Sequence, residues 1–180
     1  MKFKATFATF YYLTNIVLAN SAIILDVSEF AHFPEISSTN SQHIISQLYN
    51  NHGSHFPLVK LDNSKDGTRY FPSLRNSREV FKDRNDKTLI YISSHLKIHQ
   101  SKLFIALPES NPSDITSFLS VKDLGINSSI LIIQPSSEIT NHFRSAFKDT
   151  FKNFNGAAML VAKEHKFFNL LLRDLKMALK

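Results

Sequence analysis

An α/β fold class with a mostly parallel sheet, preceded by an irregular N-terminal segment, is what the sequence predicts, and three observations carry it. The runs Leu103 to Leu107, Ser129 to Ile133 and Ala157 to Val161 are apolar at nearly every position, and a strand apolar on both faces needs cover on both. Helical patterns fall between the later runs, as crossovers between parallel strands require. The chain is 43% apolar with only 4 Gly in 180 residues, enough to bury a core and too stiff for a flexible tract.

Taken in order, Met1-Lys2-Phe3-Lys4, the apolar stretch Ala5 to Leu18 and the small residues from Ala19 to Ala22 have the layout of a secretory signal peptide. The apolar part is shorter than the roughly 20 residues of a spanning helix, so residues 1–19 are expected to be cleaved after Ala19, with no stable membrane span afterwards. Residues 20–78 are read as irregular. Within them Ile44, Ile45, Leu48 and Tyr49 are spaced as on a short amphipathic helix. From Lys60 to Ser77, Asp, Asn, Ser, Gly67 and Pro72 mark a surface loop.

Residues 79–180 are expected to form the α/β domain. Thr88 to Ile92 and Lys102 to Leu107 read as strands, the second stopped by Pro108. Pro112 and Ser113 are expected to open a helix carrying Ile115, Phe118, Leu119 and Leu124, closed by Gly125. After the strand at Ser129, a helix from Pro135 places Ile139, Phe143, Phe147, Phe151 and Phe154 on one face, which reads as core, and Asn155-Gly156 ends it. A last strand and an amphipathic helix over Phe167 to Leu179 close the chain. Ile105, Ile132 and Leu160 are expected to be fully buried.

Composition also excludes chemistry. With Cys 0 there is no thiolate nucleophile, disulfide or Cys-based metal site. The net charge of +6 is spread along the chain without a dense basic run, so nucleic acid is not an expected partner. Asp62-Asn63-Ser64-Lys65-Asp66-Gly67 has the first half of a calcium-loop pattern, but Ser73 stands at position twelve where a bidentate Glu belongs, so it reads as an Asx turn. His52/His55 and His95/His99 are spaced to share a helix face, yet neither pair has a third ligand. No metal and no cofactor are expected. No serine lies in a G-x-S-x-G elbow or S-x-x-K pair.

Tyr70-Phe71-Pro72-Ser73-Leu74-Arg75, Glu79-Val80, Asp83, Asp86-Lys87 and Thr88 to Tyr91 resemble the middle of TraW, an exported assembly protein of F-type conjugative type IV secretion systems. Gln100 to Ala106, Asn111-Pro112-Ser113-Asp114 and Ser129 to Gln134 follow in the family's order, and the related TrbC family has a thioredoxin-like region. The resemblance implies a thioredoxin-like three-layer domain and a periplasmic, non-catalytic scaffold whose partners are other pilus-assembly proteins. Partner binding is then expected on the loop carrying Arg69, Tyr70, Phe71, Arg75 and Arg78, since arginine and aromatic side chains dominate interface energies. The alternatives are a secreted α/β hydrolase or carbohydrate-binding protein, or a host-interacting effector using the Ser/Asn-rich front segment. The hydrolase would build its site from His95, Asp114 and Ser136, with the strand ends at Leu107 and Gln134 directing loops into one crevice.

Overall fold

The computed structural model describes residues 21–36, 41–55, 57–62, 88–124, 130–154 and 157–161. The expected signal segment 1–19, the expected loop with Arg69, Tyr70, Phe71, Arg75 and Arg78, the expected turn after Asp62, Gly125, Asn155-Gly156 and the expected closing helix lie outside the described residues.

The strand β1 (Ser21–Asp26) is followed by the helix α1 (Ser41–His52), β2 (Leu58–Asp62) and β3 (Thr88–Ser94). The hairpin β4 (Leu96–His99) and β5 (Lys102–Ile105) comes next, then a 3-10 turn at Ile115–Ser117, the short β6 (Leu119–Ser120) and a 3-10 turn at Val121–Leu124. β7 (Ile130–Pro135), α2 (Asn141–Thr150) and β8 (Ala157–Leu160) complete the order. A five-stranded sheet runs β2-β1-β3-β7-β8 and a three-stranded one β4-β5-β6. All pairings in the large sheet are parallel, and those in the small sheet antiparallel.

The α/β class with a mostly parallel sheet therefore holds, and the placement of its first strand is corrected. The described residues between 21 and 62 do not stand as an irregular segment ahead of the domain: β1 lies between β2 and β3, with Ile23 opposite Val59 on one side and Ile90 on the other. A boundary at residue 79 would cut this sheet. β1 reads SAIILD, and its five residues after Ser21 are buried, as a strand paired on both edges and covered on both faces must be.

Alternation along the strands divides the core in two. On one face Ile23, Leu25, Ile90, Ile92, Leu131 and Ile133 pack with Leu103 and Ile105 of the small sheet and with Phe143 and Ala146 of α2. On the other, Ala22, Ile24, Leu89, Tyr91, Ile130 and Ile132 pack with Ile44 and Leu48 of α1. The two helices cover opposite faces because the chain steps outward from β1 to β2 in one direction and from β7 to β8 in the other, and right-handed crossovers in opposite directions land on opposite sides. The spacing of Ile44, Ile45, Leu48 and Tyr49 thus did mark a helix, with Tyr49 its exposed edge. Gly53, at φ 86, ends α1 by donating its N–H to the Tyr49 carbonyl at 2.8 Å, a left-handed cap that glycine adopts at least cost.

Four further expectations change. Leu103 to Leu107 does not join the parallel sheet. Lys102–Ile105 turns back on β4 through Gln100 and Ser101, both at positive φ (48 and 60), the backbone of a two-residue hairpin. The helix expected from Pro112 is replaced by turns. Asp114 accepts the Thr116 N–H at 2.9 Å, Asn111 that of Ser113 at 2.9 Å, and the Ser110 hydroxyl donates to the Ser117 carbonyl at 2.7 Å, so short polar side chains take the backbone groups a helix would use. The helix expected from Pro135 begins only at Asn141, where the Thr140 hydroxyl accepts the Phe143 N–H at 3.2 Å. It also ends at Thr150, so Phe151 and Phe154 lie beyond it, yet the aromatic residues are core: Phe143 is buried, and Phe147, Phe151 and Phe154 pack against the same cluster. Ile105 and Ile132 are fully buried, but Leu160 is half-buried, in a strand that among the described residues is paired only to β7. Among the described residues no helix is long and apolar enough to cross a membrane.

Candidate active site

The carboxyl ends of adjacent parallel strands are where loops diverge and leave a crevice, above all where the strand order reverses, here between β1 and β3. Three segments meet there: residues 27–36 after β1, His95 at the end of β3, and Ser136 just past β7. Backbone bonds fasten them. Val27 N–H donates to the Ser93 carbonyl at 3.0 Å, Ser136 N–H to the Ser94 carbonyl at 3.1 Å and Ala31 N–H to the Pro108 carbonyl at 2.9 Å. The segment after β5 closes in as well, with Ala106 N–H on the His95 carbonyl at 2.9 Å and the buried Ser94 hydroxyl donating to the Ala106 carbonyl at 2.6 Å.

At the centre, His95 Nδ1 and Ser136 Oγ are 2.6 Å apart, and His95 Nε2 is 2.8 Å from the Pro34 carbonyl oxygen. The partners assign the protons. A carbonyl can only accept, so Nε2 carries the hydrogen; in the neutral ring Nδ1 is then a bare acceptor, and the serine hydroxyl is the donor. That polarity is the one a nucleophile and its general base require, with a third group orienting the base. Both side chains are half-buried, held yet reachable. Around the imidazole stand Phe30, with ring centroids 4.7 Å apart, and Phe33, stacked at 5.1 Å; Phe118 meets Phe33 edge-on at 5.8 Å. Lys97, two residues along β4, lies over the Phe118 ring at 5.2 Å and donates to the Pro112 carbonyl.

Of the residues His95, Asp114 and Ser136, the structure joins the first and last. Asp114 is exposed and caps its own turn, where the Thr116 hydroxyl (2.7 Å) and then the Thr116 N–H hold its carboxyl below the ordinary value of 3.8. Leu107 follows a strand of the small antiparallel sheet and not of the parallel one, while Gln134 lies in β7 two residues before Ser136. His95 and His99 share no helix face, since β4 is extended; His99 packs edge-on against Phe104 at 6.2 Å. His52 ends α1 and His55 is exposed beyond it, so that pair shares no helix face either. Among the described residues no group of three or more His, Cys, Asp or Glu could hold a metal ion. The expected partner-binding residues Arg69, Tyr70, Phe71, Arg75 and Arg78 lie outside the described residues.

Sequence reasoning missed Phe30, Phe33 and Pro34. Their signal was the apolar run Ala22 to Leu25 just before them, which as a strand would have placed the next loop at the carboxyl edge. Two further buried side-chain hydrogen bonds lie within the fold. The Tyr91 hydroxyl donates to Gln134 Oε1 at 2.6 Å, tying β3 to β7, and the Ser41 hydroxyl donates to Asp26 Oδ2, tying the start of α1 to the end of β1. No protein-family model matches the chain, and no curated protein shows significant similarity to it.

Proposed function

We propose that the chain is a serine-nucleophile hydrolase acting on acyl compounds, esters or amides, with Ser136 as nucleophile and His95 as general base. The observation that carries this reading is the Ser136–His95–Pro34 relay at 2.6 and 2.8 Å, placed at the carboxyl edge of a parallel sheet. In the reaction Ser136 Oγ attacks the acyl carbon while its proton passes to His95 Nδ1. The imidazolium then returns that proton to the departing alcohol or amine, leaving an acyl-serine. Water, deprotonated by the same nitrogen, attacks the acyl-serine, and the proton goes back to Ser136 as the acid is released.

The test is a fluorophosphonate probe, which phosphonylates an activated serine with loss of fluoride. Labelling is expected at Ser136, absent in Ser136→Ala and slowed roughly 10²-fold or more in His95→Ala. An unlabelled wild-type protein that melts cooperatively overturns the reading.

The second reading is the non-catalytic periplasmic scaffold of a conjugative pilus, with a thioredoxin-like domain and a partner surface at Arg69, Tyr70, Phe71, Arg75 and Arg78. It is favoured by the strands β3 and β7, which fall on the segments where the resemblance to TraW places strands. It requires an inert Ser136, so the same labelling separates the two.

A further inference from the structure

A histidine base must be kept in one tautomer and one ring orientation, and its positive charge must be compensated while it holds the proton. In serine triads a carboxylate does both. Here both ring nitrogens of His95 are already engaged, by Ser136 and by the Pro34 carbonyl. What surrounds the ring is aromatic. Phe33 lies nearly parallel to it, at 21° and 5.1 Å between centroids, while Phe30 crosses it at 69° and 4.7 Å. The two phenylalanines also meet each other at 5.8 Å and 71°, and Phe33 is backed by the buried Phe118 at 5.8 Å.

We propose that Phe33, braced by Phe30, positions His95 together with the Pro34 carbonyl, its ring face taking over from the carboxylate of a triad the compensation of charge; this rests on the hydrolase reading above. A flat neighbour on one side and an edge-on neighbour on the other leave the imidazole a single plane. Rotation about its outer torsion, otherwise broad and nearly free, would drive a ring nitrogen into Phe33. The face of Phe33 carries the negative lobe of the ring quadrupole, and a cation within about 6 Å of the centroid is attracted to it. The stacked ring therefore favours the imidazolium formed during acyl transfer over the neutral base. Pro34 belongs to the same segment, so clamp and acceptor move together. That segment is fixed at both ends by Val27 N–H on the Ser93 carbonyl at 3.0 Å and Ile36 N–H on the Ser28 carbonyl at 2.9 Å.

Two measurements on the full chain test this. In hydrolysis of p-nitrophenyl acetate, Phe33→Leu should lower kcat about 10-fold, within the range of a partly desolvated cation–π contact, with KM changed less than about 2-fold, and Phe33→Tyr should restore kcat to near wild type. Independently of any activity, nitrogen-15 spectra of histidine-labelled protein should show His95, assigned by comparison with His95→Gln, as the pure Nε2–H form in the wild type and as a mixture of tautomers in Phe33→Leu. A Phe33→Leu protein with unchanged kcat and unchanged tautomer overturns the proposal. If Phe33→Leu does not fold, Phe30→Leu takes its place with the same expected tautomer mixture. If the wild type shows no esterase activity while the tautomer responds, the hydrolase reading falls and the clamp stands.

Discussion

Asp114 shows at the scale of one residue how a plausible catalytic carboxylate is diverted to structure. Its two hydrogen bonds from Thr116 are stronger to the charged form, and they hold its pKa below 3.8. A carboxyl whose folded pKa is depressed stabilises the native state above its unfolded pKa and loses that contribution as pH falls through the lower folded value. Wild-type stability should therefore decline below about pH 3.8 more steeply than that of Asp114→Asn, measured by thermal melts across that range. Equal slopes would mean that the carboxylate adds nothing to folding. His95 was legible as a polar residue at a strand end and Ser136 as a residue after another strand, but nothing in the linear pattern said that the strands were neighbours. That fact lives in the sheet order. Phe33 and Pro34 were harder still, because their role depends on β1 being a central strand.

At the scale of elements, the small sheet separates local from tertiary signals. Apolar density marked Leu103 to Ala106 as a strand, but density alone does not give its direction, and Gln100-Ser101 lacks the Asn-Gly or Asp-Gly signature of a primed turn. The hairpin is closed instead by two residues held at φ 48 and 60, a region that costs side-chain-bearing residues roughly 1 kcal/mol each. Replacing them together, Gln100→Asn with Ser101→Gly, should relieve that strain and raise stability by about 1 kcal/mol, seen as a higher denaturant midpoint at unchanged slope. A lower midpoint would mean that the Gln100 or Ser101 side chain contributes more than its backbone costs. The helix expected from Pro112 failed for a related reason: Ser110, Asn111, Asp114 and Ser117 match a helix start one at a time, yet together they complete a network of turns.

Considered whole, the molecule depends on its parallel sheet. β1, β3 and β7 are each paired on both edges, and β3 and β7 are buried along their whole length. Backbone amides there can open to solvent only when the sheet comes apart, whereas those of the β4–β5 turn are covered by little. Hydrogen exchange should show Ala22 to Asp26, Leu89 to Ser93 and Leu131 to Gln134 as the slowest amides, exchanging at the rate of global unfolding, and His99 to Lys102 as among the fastest. Comparable rates in the two regions would contradict the central position of β1. The α/β class was readable because apolar runs and helical periods are local; the order of the strands was not, because it is decided by which edges are left to pair.

The neighbours of β1 also have unequal distances in sequence. Ser21 reaches Thr88 across 67 positions, their hydroxyls 3.0 Å apart, while β2 is complete by Asp62. On the ribosome β1 is therefore made early, and at about 5–20 residues per second it waits for seconds with one backbone edge unpaired. A naked edge of this kind is a template for any other extended chain, so the protein's most vulnerable moment comes before β3 has been synthesised. Synthesis on crowded polysomes, where many such edges face one another, is the condition under which yield should fall first.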